Sequence, residues 1–295
     1  MNAVTRWVRN GGLSTLVLLM PLLLTFSYFA WYPIGRAFVM SFQHTDLVAE
    51  PTWVGLDNFD HVLTDPRFWT SVRNTAYFTL LGLLFGYPVP LVLALVMSEL
   101  RRARGLFSML AYLPVVIPPV VAVLLWRFFF DAGETGVFNT MLGWVDLGPY
   151  EWIQSTSWAM PSLVLQATWA NAGSTVIIYL AALSGLSSDL YDAAEVDGAG
   201  LGRKIWHITL PQMRNILLIT LIVQVIATFQ IFTEPFLMTG GGPQNSTTTV
   251  LLQIYDYAFR FGNYGAATAL SVLLALFLGV MSALYFRVTR SWSTS

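Results

Sequence analysis

Two stretches hold side chains able to meet a ligand within an otherwise apolar chain. Residues 157–183 carry Gln166, Thr168, Trp169, Asn171, Ser174 and Thr175. Residues 216–238 carry Gln224, Thr228, Gln230, Thr233 and Glu234. Amides and hydroxyls exchange hydrogen bonds with ligand hydroxyls, and an indole face stacks on a pyranose ring. The chemistry they suggest is recognition of a neutral, hydroxylated solute. Gln166, Trp169, Asn171, Gln224, Thr228, Gln230 and Glu234 are therefore the candidates for a substrate pathway. Gln224 and Thr228 are four apart and share a helix face, while Gln230, six on from Gln224, falls off it. The competing use of each is an interhelical hydrogen bond that holds a bundle together, worth about 0.6 kcal/mol on average.

Bond-making chemistry has little to work with. The chain has no cysteine, which removes disulfides, thiolate metal sites and a cysteine nucleophile. His44, His61 and His207 are widely separated, so neither a zinc site nor a catalytic triad is expected. Charges near the ends of apolar runs are few: Glu234, Arg127, Arg36 and Arg73. An ionised group at a membrane helix centre costs ~2.5–3.5 kcal/mol on insertion scales. No chain of His, Asp and Glu crosses an apolar run, which argues against a proton-driven carrier or an intramembrane acid–base enzyme. The only lysine, Lys204, is followed by Ile205, and no GxxxxGK[ST] is present, so ATP is not held here in a P-loop. No catalytic residue, metal site or cofactor is expected of this chain, and energy must come from elsewhere.

These residues need elements to position them, and composition says which kind. With 56% hydrophobic and only 11% charged residues, the chain is not an ordinary soluble domain. A net charge of −1 gives no basic field for nucleic acid. Apolar runs near 20 residues recur, each long enough to cross ~30 Å of hydrocarbon as a helix. The pattern predicts an all-α integral membrane protein with six spans: 13–32 continuing to about 42, then 71–97, 106–130, 157–183, 216–238 and 265–286. The first run is too long for a signal-peptide core and ends without a small-residue cleavage site, so it is expected to be an uncleaved span. Pro88 and Pro90 should bend the second span, and Pro114, Pro118 and Pro119 should bend the third, which then lines protein or water, not lipid. Gly82 and Gly86 form a GxxxG pair suited to close helix packing, or a chance pairing.

One polar segment interrupts the apolar runs, Leu190–Pro211, LYDAAEVDGAGLGRKIWHITLP. It reads as two short helices joined at Gly198–Gly202. Asp189 is a plausible N-cap with Asp192 at N3. Leu190, Ala193, Ala194 and Asp197 fall at i, i+3, i+4 and i+7, a shallow face that lets another backbone or a groove wall approach. This is a docking element.

The same segment resembles the "EAA loop" of permease subunits of binding-protein-dependent ABC importers. Asp192-Ala193-Ala194, Asp197-Gly198-Ala199 and Ile208-Thr209-Leu210-Pro211 match it without a gap. The family's usual Glu is the shorter Asp192, and a usual Phe is Ile205 with Trp206 beside it. Three further segments resemble those of sugar-importer permeases: Trp53-Val54-Gly55-Leu56-Asp57-Asn58-Phe59, Leu113–Pro118 with Trp126, and Thr239-Gly240-Gly241-Gly242-Pro243 followed by Thr247-Thr248-Thr249. The last is typical of one of two permease types in importers for maltose, trehalose or glycerol phosphate.

The resemblance implies the type-1 importer permease fold. An N-terminal tail, first helix and periplasmic loop would occupy 1–70, the transmembrane domain 71–286 and a cytoplasmic tail 287–295. A cytoplasmic coupling loop at about 184–212 would place Asp192, Ala193, Ala194, Glu195, Asp197, Gly198 and Ala199 in a cleft of an ATPase subunit. Implied partners are a second, homologous permease, an ABC ATPase dimer that binds ATP and Mg, an extracytoplasmic sugar-binding protein or lipoprotein, and membrane lipid. The implied location is the bacterial cytoplasmic (inner) membrane. The implied function is import of a sugar by alternating access. A neutral di- or oligosaccharide is favoured over a glycerol phosphate because spans four and five hold no cationic cluster. A self-sufficient carrier or membrane enzyme would need internal repeats or a buried reactive constellation, and neither is visible.

Charge orients this scheme. With the polar segment inside, Arg6, Arg9, Arg101, Arg102, Arg104, Arg203, Lys204, Arg214, Arg287 and Arg290 are inside, against Arg36, Arg67, Arg73, Arg127 and Arg260 at or near the outside. That sorting fits the positive-inside rule with both termini cytoplasmic.

Overall fold

A computed structural model describes residues 12–100, 104–133 and 136–293. Arg6, Arg9, Arg101 and Arg102 lie outside the described residues. In chain order the elements are α1 (Leu13–Met40), a two-stranded hairpin of β1 (Gln43–His44) and β2 (Thr52–Trp53), α2 (Asp57–Thr64) and α3 (Pro66–Glu99). Next come α4 (Gly105–Val116), α5 (Pro119–Phe129), α6 (Val137–Gly143), α7 (Ala159–Ser184) and α8 (Ser188–Val196). The chain closes with α9 (Leu201–Gln212), α10 (Arg214–Phe229), α11 (Val250–Tyr255) and α12 (Tyr264–Ser293). Among the described residues α1, α3, α7 and α12 are each long and apolar enough to cross a membrane. The bent pairs α4–α5, at 98°, and α9–α10, at 73°, bring the number to six if each pair is one span.

The chain divides into two compact units. One comprises the residues up to Thr64 with Ile254–Leu273; the other runs from Asp65 to Gln253 and resumes at Leu274.

The first unit explains the Trp53–Phe59 segment. β1 and β2 pair antiparallel, with Gln43 opposite Trp53. Trp53 stacks on Phe42, ring centres 5.6 Å apart, and Phe59 lies against the same ring at 5.3 Å. The buried Asn58 amide donates to the carbonyls of Ser41 and Gln43, at 3.0 and 2.9 Å. Those carbonyls follow the end of α1, where the helix ladder has no donor left to offer.

In the second unit the third span is bent at its prolines, by 98° between Val116 and Pro119, while Pro114 lies within a continuous helix. Pro118 is extended, neither it nor Pro119 has an N–H, and the helix breaks between α4 and α5. Before Pro88 the α3 backbone widens into a π turn over Gly82–Gly86, closed by Tyr87 N–H to the Gly82 carbonyl at 2.8 Å. The fifth span departs from expectation: its helix stops at Phe229, not near 238. Pro235 has no N–H to give the Ile231 carbonyl, which instead accepts the Thr249 hydroxyl at 3.0 Å.

Thr249 belongs to the glycine–proline loop, which folds on itself through buried hydroxyls. Thr239 and Thr247 share a hydrogen bond at 2.6 Å, and Thr247 donates to the Gly242 carbonyl at 2.8 Å. Gly241 has φ +91°, and a Cβ there would stand 2.6 Å from Thr248 Oγ1, so only glycine fits. From α3, Asn74 donates to the carbonyls of Asn245 and Thr248, at 2.7 and 3.0 Å. The loop is thereby tied to α3.

Two apolar cores hold this unit. Phe78, Val123, Trp126, Phe130, Met160 and Leu163 form one; Ala94, Met97, Val176, Tyr179 and Met213 form the other.

Candidate functional site

A cavity of about 390 Å³ opens between α3, α7, α10 and the segment after α10. Glycines make it possible. A Cβ on Gly82 would lie 3.2 Å from the Thr228 methyl, and one on Gly86 3.1 Å from Thr168 Oγ1. The glycine pair therefore lets α3 approach α10 at Gly82 and α7 at Gly86, and both glycines line the cavity.

Of the expected pathway residues, Asn171, Gln224, Thr228, Gln230 and Glu234 line this cavity. Thr168, Ser174, Thr175 and Thr233 line it too, with Phe78 and Phe232 as the aromatic surfaces. Asn171 Nδ2 donates to the Ala167 carbonyl at 2.8 Å, leaving its amide oxygen for a ligand. Thr228 donates to the Val225 carbonyl at 2.9 Å and can still accept. Gln230 reaches the cavity although it is off the Gln224 face, because the helix has already ended.

Gln166 and Trp169 do not line it. Gln166 is 1% exposed, and its Oε1 has no hydrogen-bond partner among the described residues. Trp169 packs with the aromatic core, 5.4 Å from the Trp126 ring centre. Helical arithmetic separates them: Thr168, Asn171 and Thr175 fall at i, i+3 and i+7, whereas residue 169 is 200° away from 171. That signal was present in the spacing. Trp169→Ala should accordingly act as a packing mutation, costing about 1–3 kcal/mol, below the range for fully buried large side chains. A lower melting midpoint of the assembled complex with uptake per complex preserved is the expected result; lost uptake at an unchanged midpoint would return Trp169 to the pathway.

Among the described residues, Glu234 is the only charged side chain in the cavity lining. Arg127 does not neutralise it: the guanidinium donates to the Leu237 carbonyl at 3.4 Å, and Glu234 forms no ion pair among the described residues.

The second candidate region is the α8–α9 segment. Its N-cap is Ser187, not Asp189: Ser187 Oγ accepts the Asp189 N–H at 3.3 Å, which places Asp189 inside the first turn. Asp189 then opposes the positive end of the helix dipole. Gly198 closes α8 with φ +71°, its N–H on the Glu195 carbonyl at 3.0 Å, and Ala199 N–H on that of Ala194 at 2.8 Å. Asp192, Ala193, Glu195, Asp197 and Gly198 are exposed, and Ala194 and Ala199 half-buried. Val196 is 90% exposed, an apolar side chain presented outward beside them. Two contacts tie α8 to α9: Tyr191 Oη to Thr209 Oγ1 at 2.9 Å and the Lys204–Glu195 ion pair at 3.2 Å.

Known proteins share this architecture. A chain in a crystal structure of a bacterial ABC transporter involved in the import of the acidic polysaccharide alginate superposes with a TM-score of 0.88 at 26% identity, covering 98% of this chain and 99% of that one. The arabinooligosaccharides transport system permease protein of Halalkalibacterium halodurans is 32% identical over 90% of this chain and 84% of its own length. The lactose transport system permease protein of Rhizobium radiobacter is 32% identical over 92% of each. The model of the family described as "binding-protein-dependent transport system inner membrane component" matches residues 86–293. With that match, a cavity among bent helices and four apolar helices long enough to span among the described residues, six if each bent pair is one span, the chain belongs to the inner-membrane permease components of binding-protein-dependent ABC importers, as a multi-pass protein of that membrane.

Proposed function

We propose that this chain supplies one half of the translocation pathway for a neutral di- or oligosaccharide, and that α8 is the element on which a separate ATPase subunit acts. The carrying observation is α10: it follows directly from the α8–α9 segment and presents Gln224 and Thr228 to the cavity. In this reading Asp192, Ala193, Ala194, Glu195, Asp197, Gly198 and Ala199 form the docking knuckle on the cytoplasmic side. Both termini lie on that side, with 71–286 as the transmembrane domain and 287–295 as a cytoplasmic tail. Closure of an ATPase dimer on ATP and Mg would push α8, turn the cavity outward to an extracytoplasmic binding protein and admit sugar; hydrolysis would reset it. A second, homologous permease completes the pathway. Relatives named for arabinooligosaccharides, lactose and trehalose/maltose support a saccharide.

The lining supports a neutral one. Amides and hydroxyls match sugar hydroxyls, Phe232 and Phe78 offer apolar faces, and among the described residues the lining holds no cation for a phosphate or carboxylate. Glu234 would accept hydrogen bonds from sugar hydroxyls, a charge-assisted interaction. Glu234→Ala should then lower uptake about tenfold or more, since a hydrogen bond to a charged group carries ~1.5–3 kcal/mol. Unchanged uptake would take Glu234 out of the pathway.

The whole reading is tested by co-expressing the chain with its partner subunits, asking whether ATPase activity co-purifies, and measuring uptake against a panel of neutral sugars, uronates and glycerol phosphate. Transport by the isolated chain in liposomes would overturn it.

A further inference from the structure

Three tyrosine hydroxyls from three different helices close on a single turn of α10. Tyr87 of α3 donates to the Leu217 carbonyl at 2.7 Å, and Tyr285 of α12 to the Leu218 carbonyl at 2.6 Å. Tyr179 of α7 shares a hydrogen bond with Thr220 Oγ1 at 2.8 Å, and Thr220 Oγ1 also lies 2.9 Å from the Ile216 carbonyl. An apolar helix offers few polar handles, because its carbonyls are already engaged along the ladder. A phenol reaching a second lone pair of such a carbonyl is directional in a way that aliphatic packing is not. We propose that Tyr87, Tyr179 and Tyr285 form a collar of positioning residues that fixes the cytoplasmic end of α10 to α3, α7 and α12, the first two of which line the cavity, so that movement of the docking loop reaches the cavity wall.

The collar stands where it is needed. α9 meets α10 at 73°, with Met213 at the bend, 1% exposed and packed against Tyr179. A bend is a natural place for motion to be absorbed. The loop side of the bend is held by Tyr191 to the buried Thr209. The cavity side is held by the collar, and Gln224 lies only two turns further on, about 10 Å. Push α8 and, with both sides of the bend held, α10 must follow. Release the collar and α9 can swing about Met213 while Gln224 and Thr228 stay in place.

This inference rests on α8 being the ATPase docking element, and its test separates the two. The full complex is compared with one carrying Tyr87→Phe, Tyr179→Phe and Tyr285→Phe together. Phenylalanine keeps each ring and its packing and removes only the hydroxyl, and Thr220 retains its bond to Ile216. ATPase co-purification, ATP turnover and sugar moved per ATP are measured. The expected result is normal co-purification and turnover with the transport-to-ATP ratio down at least about fivefold, the lower end of usual site-to-site coupling. Restoring Tyr179 alone should recover part of the ratio. If co-purification, turnover and uptake fall together with the ratio unchanged, the hydroxyls only hold the fold and the collar is refuted. An unchanged ratio with normal amounts refutes it equally, while leaving α8 as the docking element. If the ATPase fails to co-purify with the unaltered chain, it is the docking reading that falls.

Discussion

Replacing Gly198 by leucine is expected to cut uptake by about ten- to a hundredfold, the usual span of a coupling free energy, while the partner ATPase continues to turn over. Gly198 sits at φ +71°, where an L-residue is strained. Nothing lies within 4 Å of a Cβ built there, so the added side chain meets no part of its own fold. Membrane insertion and assembly of the bundle should therefore survive. What changes is the outward face of the knuckle, where the leucine would stand beside Asp197 and the exposed Val196. Gly198→Ala separates the two contributions, since it brings the backbone strain with almost none of the bulk. Uptake and ATP hydrolysis measured in the same vesicles decide the matter. Unchanged uptake in the leucine variant would remove the docking role from this loop.

Gly173→Leu should act at the other extreme, on the bundle itself. A Cβ at Gly173 would collide with the Ala111 carbonyl of α4 and stand 3.0 Å from Tyr112 Cα. Both obstacles are backbone, so no side chain can swing aside. Even Gly173→Ala should cost about 1–3 kcal/mol by overpacking, and leucine should prevent α4 and α7 from packing at all. The measurable consequence is loss of assembled complex from detergent extracts, with Gly86→Ala as a milder control because its obstacle is the Thr168 hydroxyl. Assembly of the leucine variant at normal levels would mean that α4 does not sit against α7 as described.

The glycine at 173 marks a limit of what spacing reveals. Gly82 and Gly86 are visible as a GxxxG pair, but whether they meet another helix or lipid cannot be read from one chain segment. Gly173 belongs to no such pair, and only the approach of α4 shows its purpose. The aromatic and polar residues of α7 give the same lesson. Gln166, Trp169 and Asn171 look alike as interruptions of an apolar run. A helix sorts them by angle, and only Asn171 turns to the cavity. The glycine–proline loop is recognisable by its residues, yet the reason for three threonines in a row lies in the carbonyls of Gly241, Gly242 and Ile231, which those hydroxyls take up.

The residue string alone determined the class of molecule, because apolar run length and the rarity of charge are conditions that lipid imposes on every span independently of its neighbours. It also marked out the polar α8–α9 segment, whose glycines and small residues encode a local shape. Tertiary structure alone decided which polar side chains share a cavity, that Glu234 stands there with no cation among the described residues of the lining, and that three tyrosines reach one turn of α10. Those facts depend on how separate helices are rotated and brought together, and such angles are set by packing between distant parts of the chain rather than by any one stretch of it.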